Sequence, residues 1–134
     1  MRGVIRMDAE DPNGNRIFQL CAQQGCLSFL KDLVEQKGAS LRDRNHNGNT
    51  VLHTACWFGH VNVVEWLLKE EKYEVVVDIH ATNHSGSTTL HLASYRGFSQ
   101  LVPLLIDHGA DVTQGDGTYV VTFLLCVLLS LWIY

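Results

Sequence analysis

Two stretches of this chain are written in one frame. N-G-N-T-V-L-H-T-A-C-W-F-G runs from Asn47 to Gly59 and S-G-S-T-T-L-H-L-A-S-Y-R-G from Ser85 to Gly97, so both satisfy G-x-T-x-L-H-x-A-x-x-x-G. Repetition at a period of tens of residues commits a chain to a stacked, quasi-one-dimensional array rather than to a globule around a single core.

The frame has a physical reading at each position. Gly48 or Gly86 turns the chain, and the hydroxyl of Thr50 or Thr88 can accept from the orphan amides at a helix start. A short inner helix follows, burying Leu52, Ala55 and Cys56 in one copy and Leu90, Ala93 and Ser94 in the other. These side chains are small enough to let a neighbouring helix approach. Gly59 and Gly97 then stop the helix in the left-handed conformation. An outer helix packs back antiparallel, with an apolar stripe at Val61, Val63, Val64, Leu67 and Leu68, and at Leu101, Val102, Leu104, Leu105 and Ile106. A looser copy lies upstream in N-G-N-R-I-F-Q-L-C-A-Q-Q-G, Asn13 to Gly25, followed by Leu27, Phe29, Leu30, Leu33 and Val34. The step from Arg16 to Thr50 is 34 residues and from Thr50 to Thr88 is 38, so the second unit carries extra residues.

On these residues the chain resembles the ankyrin repeats, units of about 33 residues with the hallmark T-P-L-H-x-A. The resemblance covers roughly Asp11 to Thr113. Val51 and Thr89 stand where proline is usual, and Arg16 and Gln19 where threonine and histidine are. Gly-Ala-Asp, which ends a family unit, survives at Gly109-Ala110-Asp111, is blurred at Gly38-Ala39-Ser40 and is gone after the second unit. The implied fold is all-α: a helical solenoid of stacked antiparallel helix pairs with β-hairpin-like finger loops, in units of about 11–46, 47–84 and 85–113. Residues 1–10 are expected to form a short, flexible, frayed lead. The extra residues around Lys69–Asp78 are expected to lengthen the second outer helix or protrude as a loop, and Val77 and Ile79 keep the alternation of a short finger strand. Pro103 falls early in the third outer helix, where a missing amide is tolerated.

At 134 residues with about 100 in the array, three units are near the minimum for stacking to offset chain entropy. A net charge of −4 and the lack of any lysine or arginine run argue against a nucleic-acid partner. The four cysteines, Cys21, Cys26, Cys56 and Cys126, form no C-x-x-C pair, and the N-terminus has no apolar run for a secretory signal. The array is therefore expected to be intracellular, with free thiols.

After Val112 the register fails. Residues 114–134 comprise the glycine-containing break Gln114-Gly115-Asp116-Gly117 and then Tyr119–Tyr134, sixteen residues without a charge. Three readings are open for this segment. As a C-terminal hydrophobic helix it would be about 24 Å long against roughly 30 Å of hydrocarbon, with Tyr119, Trp132 and Tyr134 where interfacial aromatics belong, and could anchor the array at the cytoplasmic face of a membrane. It could instead cover the open face of the third unit, or be the truncated or misread end of a longer array.

Seven histidines raise the question of metal. His53 and His91 sit at the T-x-L-H position, where the resemblance implies that the imidazole bonds the backbone of the turn and ties units together. No ligand set at zinc spacing, G-x-S-x-G, P-loop or dinucleotide turn is present. The reading is a non-enzyme with no cofactor and no small-molecule substrate.

Binding does have candidates. The two residues before each helix-ending glycine point out of the inner helix: Gln23 and Gln24, then Trp57 and Phe58, then Tyr95 and Arg96. Stacking lines them up along one concave groove, and the finger tips add Asp43, Arg44, Asn45, His46 and Asn49, then Thr82, Asn83, His84 and Ser87. Tryptophan, tyrosine and arginine dominate interface energetics. The expected function is a non-catalytic adaptor or scaffold that binds a protein partner through this face. The alternative is the recognition part of a longer ankyrin-containing enzyme or channel.

Overall fold

The structure, a computed structural model, describes residues 6–114. Among the described residues six α-helices make three antiparallel pairs: α1 (Ile17–Gln24) with α2 (Leu27–Gln36), α3 (Val51–Phe58) with α4 (Val61–Lys69), and α5 (Thr89–Arg96) with α6 (Leu101–Asp107). The inner helices form one row in which α3 lies between α1 and α5. The apolar C-terminal segment falls outside the described residues, among which no helix is long and apolar enough to cross a membrane.

The local code works as the frame requires. Thr50 Oγ1 accepts from the His53 N–H at 3.3 Å, and Thr88 Oγ1 does the same for His91 at 3.3 Å. Gly59 ends α3 at φ 74, and the following amide of His60 reaches back to the Ala55 carbonyl at 3.0 Å. Small residues let the hairpins close on each other: Ala22, Ala55, Cys56 and Ala93 are fully buried. With Phe18, Leu30, Leu52, Val63, Leu67, Leu90, Leu101 and Leu105 they form one core that runs through all three pairs. No pair could bury that face alone.

The fingers are hairpin-like loops, each closed by a backbone bond, Asp11 N–H to the Asn15 carbonyl at 2.9 Å and Asn45 and Asn83 N–H to the Asn49 and Ser87 carbonyls at 3.0 Å, but the short strand expected at Val77 and Ile79 is not formed. Among the described residues there is no strand, and Val77 and Ile79 lie in turn and irregular backbone. The Val77 amide is taken by the Tyr73 carbonyl, and the finger tips satisfy further amides with a side chain. Asn45 Oδ1 accepts from Asn47 and Asn49 N–H, both at 3.0 Å, and Asn83 Oδ1 accepts from Ser85 and Ser87 N–H, both at 3.0 Å. Asp11 does the same for Asn13 and Asn15 at 2.9 and 2.8 Å, and the N–H of Asn15 holds its carboxyl below the ordinary aspartate range.

Fingers are then clipped to one another. The His46 N–H donates to the Asn13 carbonyl and the His84 N–H to the Asn47 carbonyl, each at 2.9 Å. Side-chain amides repeat the tie: Asn45 Nδ2 to Asn15 Oδ1 at 3.0 Å, and Asn83 Nδ2 to Asn49 Oδ1 at 2.9 Å. The extra residues of the second unit fold into a single 3-10 turn, Glu71–Tyr73, and then a turn in which the Val76 and Val77 amides both reach the Tyr73 carbonyl. Tyr73 is buried edge-on against Trp66, ring centres 5.1 Å apart, and so draws the insertion back onto α4. In the described part of the lead, Met7 packs against the core, and Glu10 pairs with Arg16 at 3.4 Å and lies 3.6 Å from the His46 ring.

Candidate functional site

Between the fingers and the inner helices lie two hollows in series. The larger, about 580 Å³, has Asn47, Asn49, Asn83, Ser85 and Ser87 on the finger side and Trp57, Leu92 and Tyr95 on the helix side. The smaller, about 210 Å³, shares Trp57, Asn47 and Asn49 and adds Asn13, Asn15, Asn45, Gln23, Thr54 and Phe58. Because Trp57 borders both, they form one trough across the three units.

Its helix wall is aromatic. The Trp57 and Tyr95 rings stack with centroids 5.9 Å apart and planes 12° from parallel. The Arg96 guanidinium lies 4.9 Å from the Trp57 ring centre and 5.6 Å from that of Phe98. Phe58 stacks on the His60 ring at 6.5 Å. Tyr95 is 63% and Phe58 41% exposed, so these rings do not disappear into the core. The opposite wall is amide and hydroxyl. Such a pairing can hydrogen-bond an extended backbone on one side while burying apolar side chains on the other.

Of the residues singled out by the sequence, Gln23, Trp57, Phe58 and Tyr95 border the trough, and Arg96 lies at its edge against Trp57. Gln24 is exposed on α1 and borders neither hollow. Arg44 is engaged elsewhere: its Nη1 donates to the Thr82 carbonyl at 2.8 Å and the Gly48 carbonyl at 3.3 Å, tying successive fingers. His46 and His84 are exposed rings laid over the preceding finger. A Cβ on Gly14 would come within 2.3 Å of the His46 ring, and one on Gly48 within 2.6 Å of His84. The same device joins the helix ends, His60 covering Gly25 and Phe98 covering Gly59.

Thr54, Leu92, Asn47 and Ser85 also line the trough and were not singled out. Thr54 and Leu92 fill the unfixed position between histidine and alanine in the frame, three residues before Trp57 and Tyr95. One helical turn puts them on the same face. That spacing was the signal available.

The frame histidines serve the stack. His53 is fully buried. Its Nδ1 accepts from the Thr50 N–H at 3.2 Å, so Nε2 carries the proton and donates to the Ser87 carbonyl at 3.1 Å. Burial lowers its pKa to about 4. His91 repeats the geometry, with Nδ1 3.0 Å from the Thr88 N–H and Nε2 2.6 Å from the Gln114 carbonyl. Gln19 does this work in the first unit: Oε1 accepts from the Arg16 N–H at 2.9 Å and Nε2 donates to the Asp43 carbonyl at 3.4 Å. Among the described residues no three His, Cys, Asp or Glu side chains converge as a metal site.

Comparison with known proteins agrees with this architecture. A family model of ankyrin repeats in many copies matches residues 17–68, and one of a single ankyrin repeat matches residues 85–117. The chain is 45% identical over 49 residues to the eye-specific diacylglycerol kinase of Drosophila melanogaster, covering 37% of this chain and 3% of that protein. It is 33% identical over 66 residues to NF-kappa-B inhibitor alpha of Sus scrofa, 46% of this chain and 21% of the relative. It is 41% identical over 54 residues to osteoclast-stimulating factor 1 of Monopterus albus, 40% of this chain and 25% of the relative. The chain thus spans no more than a quarter of the length of these relatives.

Proposed function

We propose that this chain, which belongs to the ankyrin-repeat family, is a non-catalytic adaptor that holds an extended segment of a protein partner in the trough beside Trp57 and Tyr95. The family makes it a protein-interaction module; the adaptor role and the surface are our reading. The observation that carries it is the pair of stacked, solvent-reaching rings facing a wall of finger amides. Buried rings of this size would need no further explanation, but Tyr95 keeps most of its surface in water, where it contributes little to folding. An intracellular placement is part of the same proposal; it suits the thiols Cys21, Cys26 and Cys56, which form no disulfide among the described residues.

The test is site-specific photo-crosslinking in cells, with the probe at Tyr95 in one version and at Asn62, exposed on α4, in another. A partner captured at Tyr95, missed at Asn62 and lost with Trp57→Ala at unchanged helicity supports the trough. Equal capture from both positions refutes it.

Two specific observations keep other elements in the proposal. The diacylglycerol kinase relative is matched over a very small share of its length, which favours a second reading of the chain as the recognition part of a longer enzyme. Transcripts that carry a catalytic domain in frame with the repeats would decide for it. The uncharged run 119–134 suits a membrane tether, and removing it should then release the protein from alkaline-washed membranes.

A further inference from the structure

The described ion pairs of this protein all lie away from the trough: Arg6–Asp8, Arg16 with Glu10 and Asp43, His46–Glu10, Lys69–Glu65 and Lys72–Glu35. Arg96 is different. It is exposed, it has no carboxylate partner among the described residues, and two rings fix it: Trp57 at 4.9 Å and Phe98 at 5.6 Å. Neither ring takes up an N–H, and none of the Arg96 N–H groups has a hydrogen-bond acceptor among the described residues, so the donors that match a carboxylate in a two-pronged pair remain available. The two rings pre-order the side chain, so a ligand need not meet the entropy of immobilising it.

The groups bordering the larger hollow beside it carry no formal charge, so this cation is unscreened by the trough's own walls. From these relationships, and resting on the trough reading above, we propose that the partner segment is acidic at one place: an aspartate or glutamate side chain pairs with Arg96 while an adjacent apolar residue lies on Trp57, Leu92 and Tyr95. The trough continues past Trp57 toward the first unit, so a segment can run through it, and the carboxylate belongs to a residue within the segment rather than to a chain terminus.

The experiment pans the full chain against a displayed library of random linear peptides and measures synthetic versions of the enriched sequences by fluorescence anisotropy. Enriched peptides should share an aspartate or glutamate next to an aromatic or large aliphatic residue. Arg96→Gln should weaken them roughly tenfold, as expected for loss of a two-pronged charged pair, and Arg96→Lys should restore only part of it. Changing the peptide acid to its amide should then cost nothing further against Arg96→Gln. Enriched peptides without an acid, or an acid-to-amide change that weakens binding equally to both proteins, overturns the carboxylate while leaving the trough reading intact. Tighter binding of a phosphoserine version overturns the carboxylate as the intended anion. If no peptide is enriched, or enriched peptides bind Trp57→Ala unchanged, the trough itself fails and this inference with it.

Discussion

His53 Nε2 donates to the carbonyl of Ser87, a residue 34 positions later, across the boundary between the second and third units. The neutral ring is required by the other nitrogen: Nδ1 accepts from the Thr50 amide, and a proton there would remove that acceptor from a fully buried side chain. Its folded pKa, about 4, lies below the ordinary value of 6.5. Above pH 6.5 neither the folded nor the unfolded chain carries the proton and the tie is at full strength. As pH falls from 6.5 toward 4 the unfolded state alone binds it, so stability declines by up to about 3 kcal/mol. Urea unfolding at a series of pH values should show this slope. His53→Gln, which copies the first unit's Gln19, should flatten it; an unchanged slope would remove His53 as its source.

Gly48 and Gly86 occupy the same place in successive fingers at nearly the same φ, 76 and 77, but among the described residues only Gly48 is covered by a following finger. A Cβ at Gly48 would lie 2.6 Å from the His84 ring and 2.9 Å from its backbone nitrogen, whereas at Gly86 it meets nothing within 4 Å among the described residues. Gly86→Ala should therefore cost about 1 kcal/mol from the left-handed backbone alone, and Gly48→Ala about 3 kcal/mol. Chemical denaturation of the two variants measures the difference.

Tyr73 anchors the insertion through its ring rather than its hydroxyl. The hydroxyl reaches Glu35 only at 3.4 Å, while the ring is packed on Trp66. Tyr73→Phe should leave the unfolding midpoint almost unmoved. Tyr73→Ala should lower stability by about 3 kcal/mol, and in hydrogen exchange the protection of the Val76 and Val77 amides should fall with it.

The three described cysteines should react in an order set by their surroundings. Cys26 is exposed at the start of α2, whereas Cys56 is fully buried and its thiol is pushed far up by loss of solvent; burial raises Cys21 as well. Pulsed alkylation read by mass spectrometry should label Cys26 in the native protein and Cys21 and Cys56 only on unfolding. Early labelling of Cys56 would mean that the α3 packing opens locally.

Most of the architecture was legible because its causes are local. A threonine three residues before a histidine, small residues on the inner helix and a glycine after it each specify their own geometry, and the repeat says that they recur. The aromatic wall followed from register alone, since Trp57 and Tyr95 are equivalent positions. What the chain did not disclose in one dimension are the ties that need the stack to exist first. Arg44 looks like a free cation on a finger tip until the next finger places the Thr82 carbonyl beside it. His46 and His84 look like recognition residues until Gly14 and Gly48 are seen beneath their rings. The finger strand expected around Val77 is absent because the Val76 and Val77 amides turn back onto the Tyr73 carbonyl.

The insertion after α4 has one more use. The second unit is longer than the first, yet the finger clips on either side of it have the same length, 2.9 Å, so the added chain is absorbed without passing any distortion to the trough. Val75, 83% exposed, marks the crest of that detour. It is therefore a natural splice point, where a fluorophore or an epitope could be carried outward while the face that meets other molecules stays unaltered.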